Sequence, residues 1–281
     1  MLFDSHAHLN FKAFEDDLAQ VIKRCVDKKM IVVNVGSQLA TSKKTIEIAN
    51  TNSGFFSSVG IHPIHVSDPI EADKHNGANI EISEMFLEIS RLAKNFKVVA
   101  IGETGLDYLR LGSEMEKVKK IQKEYFLKHI ELANSLNKPL IIHSRASENS
   151  NDAYLDILDI LKTKEILPLL EKKGVMHCYI SGSVEIAKEF IKLGFAVGIT
   201  GIVTFKKKSE LIQEVVREVP LENILIETDS PYLTPEPFRG QRNEPIFVEQ
   251  VAKKIAELKG LSLKDVIAQT TKNAKQIFKI I

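Results

Sequence analysis

Eight short apolar, β-prone runs, most of them followed by a stretch with helical periodicity, limit how this chain can fold. The runs fall at about 1–4, 30–36, 55–61, 97–102, 139–142, 174–178, 195–199 and 223–227, each bounded by turn or polar residues. Helical patterns lie between them at 15–28, 40–52, 80–95, 114–137, 151–172, 183–193 and 207–218, and two more, 245–259 and 262–279, follow the last run. Ser262 and Asp265 open the final helix at capping-box spacing. Ile31-Val32-Val33, Leu140-Ile141-Ile142 and Ile224-Leu225-Ile226 are apolar throughout, as expected of a parallel sheet covered on both faces. Strand and helix alternating eight times predicts an α/β fold of the closed kind, a TIM (β/α)8 barrel with parallel strands and an extra C-terminal helix. An open doubly wound sheet is the alternative, but no glycine-rich phosphate turn follows the first strand, which favours closure. The length of 281 residues fits a single barrel domain over 1–281, since such barrels run to about 250 residues and often exceed it. The stretch from Ser67 to Asn79, with prolines, acids and a glycine, reads as a surface excursion.

Bulk composition permits a soluble enzyme and excludes little else. Hydrophobic residues at 44% and charged residues at 27% are ordinary for a globular protein with a sizeable core. Against 38 basic side chains stand 37 acidic ones, so no global field draws the molecule to nucleic acid or to an anionic membrane, and any polyanion binding is local. Lys206-Lys207-Lys208 is the densest basic run and reads as a solvated helix start. Of two cysteines, Cys25 lies on the stripe Leu18, Val21, Ile22, Cys25, Val26 and reads as core. Cys178 follows His177 and therefore points the other way along a strand, which favours packing. With no disulfide framework, no charged-then-apolar leader pattern and no apolar run of membrane-spanning length, the expectation is a soluble, cytoplasmic protein without membrane association, monomeric by default.

The chemistry lies where the apolar runs end. Six of the eight histidines sit at such ends, and acids stand at two more: Asp4-Ser5-His6-Ala7-His8, His62-Pro63-Ile64-His65, Glu103, His143, His177 and Glu227-Thr228-Asp229. Barrel enzymes carry their active residues on the loops after the strands, so these side chains converge on one rim. His6 and His8, two apart on an extended segment, lie on the same side and can grip one cation. Histidine nitrogens suit zinc, iron or manganese, and the carboxylates Glu103 and Asp229 add the negative charge that a second divalent ion needs. Glu103 is best placed to bridge two ions, with His6, His8 and Asp229 around the first and His143 and His177 around the second. Paired ions activate water for hydrolysis without a protein nucleophile. Asp229 can also accept the proton of that water, and Arg145 has the planar fork that pairs with a phosphate. A lone histidine at a strand end is more often structural than a ligand, but four of them together with two acids call for one cause. His62 and His65 read as neighbours that contact substrate or donate a proton, Glu227 as a support for a ligand or for the strand, and Asp4 as a partner of a ligating histidine. His75 and His129 carry no assigned role.

These residues resemble the TatD-like metal-dependent deoxyribonucleases, a branch of the amidohydrolase-like barrels. The resemblance runs from Asp4 to Asn243 through Asp4-Ser5-His6-Ala7-His8-Leu9, Gly60-Ile61-His62-Pro63, Gly102-Glu103-Thr104-Gly105-Leu106-Asp107-Tyr108, His143-Ser144-Arg145, His177-Cys178-Tyr179, Glu227-Thr228-Asp229-Ser230-Pro231-Tyr232-Leu233 and Arg239-Gly240-Gln241-Arg242-Asn243. It implies a TIM barrel with two divalent ions, often magnesium, zinc or nickel, and 3′ to 5′ exonuclease action on DNA; the expected substrate is a nucleic-acid end, DNA first and RNA second, and the histidine donors keep manganese among the candidate ions. It also implies His6, His8, Glu103 and Asp229 on the first ion and Glu103, His143 and His177 on the second. Glu103 stands where related barrels carry a carbamylated lysine, so no such modification is expected. Tyr179 replaces a common Phe, and the segment from Ser147 to Lys173 is longer than in compact members.

Two function classes compete with a nuclease. A small-molecule amide or ester hydrolase would use the same ions, and the near-neutral charge is compatible with it, since capture of a long polyanion usually relies on a basic stripe. A barrel that merely binds metal or a partner fits less well, because the expected shell leaves open positions beside an arginine. Arg145 is the leading phosphate contact, with Arg239 and Arg242 as further candidates.

Overall fold

The computed structural model describes residues 1–67, 81–109, 111–163, 166 and 173–281. The excursion at 68–80, with His75, and most of 164–172 lie outside the described residues.

All eight anticipated runs form strands: β1 Phe3–Ala7, β2 Ile31–Val35, β3 Phe55–Val59, β4 Val98–Asp107, β5 Leu140–Arg145, β6 Gly174–Met176, β7 Phe195–Ile199 and β8 Ile224–Ile226. They pair in parallel in sequence order. The sheet returns on itself where Ala7 bridges Ser230, with Asp229 N donating to His6 O at 2.9 Å and His8 N to Ser230 O at 2.8 Å. The fold is thus a parallel (β/α)8 barrel, as predicted. Its main helices are α1 Leu18–Asp27, α2 Leu39–Thr51, α3 Pro63–Ser67, α4 Ile82–Leu92, α5 Met115–Ser135, α6 Asp152–Leu161, α7 Val184–Lys192, α8 Glu210–Glu218, α9 Val248–Lys259 and α10 Leu263–Phe278. The Ser262 hydroxyl caps α10 by accepting from Asp265 N at 3.1 Å. Lys206, Lys207 and Lys208 are exposed ahead of α8, and Cys25 is fully buried.

Strand residues alternate between two cores. Val32, Ile142, Met176, Val197 and Ile226 face outward and pack under the helices. Val33, Ile141, Val175, Ala196 and Leu225 belong to a second cluster that also takes in Ala274, Phe278 and Ile280. That second cluster is the barrel interior, and the C-terminal helix α10 closes one end of it, where Phe278 stacks on Phe3 with ring centres 6.0 Å apart.

Three strands run further than their apolar stretches, among them β1, which continues to Ala7. β4 continues to Asp107 and β5 to Arg145, because Thr104 to Asp107 keep pairing with Ile142 to Arg145 after a register shift between Ile101 and Thr104. Glu103 and His143 therefore stand on strands rather than in the loops beyond them, and a bulge of this kind re-aims the side chains beside it. Gly105 makes the close approach possible: it has φ +139°, and a Cβ there would lie 2.1 Å from His143 O.

Candidate metal centre

Five strands deliver the convergent donors, and polar contacts between their ends fix them. His6 on β1 and His8 just beyond it bring their Nε2 atoms to 3.0 Å, while His8 Nδ1 is held at 2.9 Å by Val35 O of β2. Asp229 follows β8 with φ +55° and Cys178 follows β6 with φ +47°, left-handed conformations uncommon for residues with a side chain. Both are tied down, Asp229 N to His6 O at 2.9 Å and Cys178 N to Glu227 Oε1 at 2.6 Å.

Glu103 occupies the centre, and its two oxygens face different partners. Oε2 lies 3.6 Å from His6 Nε2 and 3.8 Å from His8 Nε2. Oε1 lies 2.9 Å from His143 Nδ1, 3.5 Å from His62 Nε2 and 3.9 Å from His177 Nε2. Asp229 Oδ1 closes the first group, 3.4 Å from His8 Nε2 and 4.0 Å from His6 Nε2, and reaches His177 Nε2 at 3.7 Å. The Asp229 side chain is 16% exposed against 5% for Glu103, so Asp229 stands nearer the mouth. The sequence-expected cluster of His6, His8, Glu103, His143, His177 and Asp229 is brought together, with His62 against it: its ring meets His143 edge-on at 4.2 Å.

Around these donors sit residues that orient them. Glu227 Oε1 lies 2.9 Å from His177 Nδ1, an ion-pair contact whose angle falls short of a hydrogen bond, and Glu227 Oε2 accepts from the Ser5 hydroxyl at 3.2 Å. Gly198 leaves room for that carboxylate, since a Cβ there would come within 2.5 Å of it. Asp4 departs from expectation. Its carboxylate takes the backbone N–H of His6 at 3.2 Å, and Thr228 through N at 2.9 Å and Oγ1 at 2.6 Å, so it joins β1 to the end of β8 rather than touching an imidazole. Asp107 went unassigned in the sequence, yet its Oδ2 meets His143 Nε2 at 3.1 Å. Glu103 and Asp107 are four residues apart on one strand and so share a face, a signal that only a longer β4 exposes.

The charges follow from burial and pairing. Burial, then the His177 charge, lowers His6 to about 4, and burial with the His143 charge lowers His62 to about 3. Burial also opposes protonation of His143, but hydrogen bonds to Asp107 and Glu103 outweigh it and lift the ring to about 9. In His177 the same opposition is overcome by Glu227, Glu103 and Asp229, giving about 10. Burial pushes Glu103, Asp107 and Asp229 up, and the surrounding imidazoles pull all three below their ordinary values. The centre is a set of ionised carboxylates among imidazole nitrogens, a donor set that suits divalent cations. His6 Nδ1 is buried without a hydrogen-bond partner, which leaves Nε2 as that ring's working atom. His6, His8 and Glu103 lie within ligating reach of one another, as do His62, Asp107 and His143, and His177, Cys178 and Asp229.

The arginines separate clearly. Arg145 ends β5, is exposed, and makes no ion pair among the described residues. Arg242 is committed to Asp17, with two contacts of 2.7 Å, and to Glu244 at 3.1 Å. Arg239 donates to Thr234 O at 2.8 Å and covers the Phe205 ring at 3.9 Å. His129, placed on a helix without a role, is fully buried and accepts from Ile61 N at 3.1 Å, bracing the residue before His62.

Comparison with known proteins agrees with this geometry. A family model described as TatD related DNase matches residues 3–279. An uncharacterized metal-dependent hydrolase, YabD of Bacillus subtilis, is 40% identical over 281 residues, covering 100% of both chains. A second, YcfH of Escherichia coli, is 33% identical over 283 residues, covering 99% of this chain and 96% of its own. Among solved structures, YJJV, a TatD homologue from Escherichia coli, superposes with a TM-score of 0.82 at 24% identity, covering 100% of this chain and 98% of that one. A TatD family hydrolase from Entamoeba histolytica superposes with a TM-score of 0.77 at 22% identity over 98% and 97% of the two chains, a likeness of fold. With eight parallel strands, a buried histidine and carboxylate cluster on one rim, and a match from Phe3 to Lys279, the chain belongs to the TatD family of metal-dependent hydrolases.

Proposed function

We propose that this chain is a divalent-metal phosphodiesterase that removes nucleotides from the 3′ ends of DNA, with RNA as a further substrate. The observation that carries the reading is the division of Glu103: one carboxylate oxygen faces His6 and His8, the other faces His143, His62 and His177. On that geometry His6, His8, Glu103 and Asp229 would hold one ion and Glu103, His143 and His177 a second, with magnesium, zinc, manganese and nickel as the candidates. When bound, such a pair supplies Lewis acidity and makes water nucleophilic at neutral pH.

The rest falls to the protein. Asp229 stands nearer the mouth and accepts the proton of the attacking water. Water oxygen bonds to phosphorus, the P–O3′ bond to the shortened strand breaks, and the leaving oxygen takes up a proton. Solvent water supplies that proton, and neutral His62 steadies the leaving oxygen: its Nδ1 accepts from Ile64 N at 3.2 Å, so Nε2 carries a hydrogen that faces the centre and donates a hydrogen bond to that oxygen. Arg145 pairs with the phosphate. Two buried or half-buried free thiols, Cys25 and Cys178, support a reducing, cytoplasmic setting, and a monomer is the working state.

Product mapping on end-labelled single-stranded DNA with metal-loaded protein tests the reading. Asp229→Asn should lower kcat by about 100-fold or more. Intact DNA with wild-type protein, or equal rates for wild type and Asp229→Asn, would overturn it. Amide or ester hydrolysis of a small molecule is the second reading, favoured by a net charge of +1 and by the commitment of Arg242 to carboxylates. Steep loss of activity with added salt marks nucleic acid instead.

A further inference from the structure

Two aromatic rings stand beside the metal-centre residues without a part in holding them. Phe11 lies flat against His8, ring centres 4.4 Å apart and planes within 8°. Tyr232 meets Phe11 edge-on at 6.3 Å and 66°. Tyr232 is three residues past Asp229 and its backbone N donates to Asp229 O at 2.9 Å, so the ring and the carboxylate leave the same tight turn. That turn is rigid: fully buried Asn243 donates from Nδ2 to Tyr232 O at 2.6 Å and to Thr228 O at 2.9 Å.

The Tyr232 side chain nevertheless points to solvent. It is 55% exposed, and its hydroxyl makes no hydrogen bond among the described residues. A large ring carried on a fixed backbone but left in water does nothing for the core. Beside an ionised cluster it offers a π face to a flat partner, and such stacking accepts any base because every base has a π face. The need is real for this chain, since charge of +1 supplies no general attraction to a polyanion.

We propose that Tyr232, backed by Phe11, stacks on the terminal unpaired base of a nucleic-acid substrate and so places the adjoining phosphate at the Glu103 and Asp229 centre. This rests on the phosphodiesterase reading and sharpens it: the substrate is a strand end with a splayed base, and a blunt paired end is a poor one. The protein measures the end by its base and binds its phosphate locally.

The test pairs a variant with a change in substrate. Stacking of one base is worth roughly a fivefold to hundredfold change in binding, so Tyr232→Ala should raise KM for single-stranded DNA by about tenfold, with kcat within about twofold, and Tyr232→Phe should restore it. On the same oligonucleotide ended by a tetrahydrofuran abasic residue, Tyr232→Ala and wild type should have KM values within about twofold. Equal losses on both ends, or no loss on either, overturn the proposal. A second readout needs no cleavage: an oligonucleotide ending in 2-aminopurine, mixed with protein in chelator, should lose fluorescence with wild type and keep it with Tyr232→Ala. If DNA is never cut but this quenching differs, the stacking site stands and the phosphodiesterase reading falls. If DNA is cut and the quenching is the same in both proteins, or absent from both, the stacking site falls alone.

Discussion

At the scale of single residues, burial decides what each ionisable group can do, and His129 shows it away from the metal centre. Its Nδ1 lies 2.7 Å from Tyr125 O and its Nε2 accepts from Ile61 N, so the neutral ring with hydrogen on Nδ1 satisfies both neighbours. Burial lowers its pKa from 6.5 to about 4. As pH falls, the unfolded chain takes the proton first, so this histidine's contribution is complete above about 6.5 and is lost as pH drops through about 4. The window corresponds to about 3 kcal/mol. His129→Gln keeps an acceptor for Ile61 and does not titrate, so its unfolding free energy should fall less steeply between pH 6.5 and 4, by up to about 1.4 kcal/mol per pH unit. Identical slopes in urea titrations of the two proteins would refute the assignment. His6, His8, His143, His177 and the acids were legible because each follows an apolar run. Asp107 and His129 were not: one lies past the end of an apolar stretch, and the other sits on a helix, where a single histidine carries no periodic signal.

At the scale of elements, strand positions were legible and strand ends were not. Apolar composition marks where a strand is covered on both faces, but backbone pairing continues for as long as a neighbour offers partners. β4 thus reaches Asp107 rather than Gly102 because β5 runs beside it to Arg145. The same reasoning explains why the C-terminal helix was foreseen but its task was not. Its apolar stripe was visible, whereas the surface it covers is assembled from residues of seven strands. Phe278 is 2% exposed and stacks on Phe3 at the closed end of the barrel. Phe278→Ala should therefore destabilise the protein by about 3–5 kcal/mol, read from chemical denaturation. Because α10 closes the end away from the catalytic rim, bound metal per chain should stay at the wild-type level under native conditions. A loss below about 1 kcal/mol would mean that α10 is an appendage rather than a plug.

At the scale of the whole molecule, the barrel gathers charge that its own fold does not neutralise. Glu103, Asp107, Glu227 and Asp229 all stand around one centre, all within 4 Å of at least one imidazole nitrogen. Protonated His143 and His177 offset part of that charge, but ionised carboxylates held together in a buried place still repel, and unfolding relieves the repulsion. Divalent cations that bind the folded chain and not the unfolded one reverse the balance by mass action: at a hundred times Kd each contributes about 2.7 kcal/mol. For a domain of this size one kcal/mol moves Tm by about 2–4 °C, so stripping the ions should lower Tm by roughly 5–10 °C per ion. Scanning calorimetry in chelator, then with metal restored, measures this directly. Glu103→Gln supplies the control, because loss of the shared carboxylate should shrink the response to metal while relieving repulsion in its absence. A midpoint unmoved by chelator in the wild type would show that the strands, and not the ions, hold these acids together.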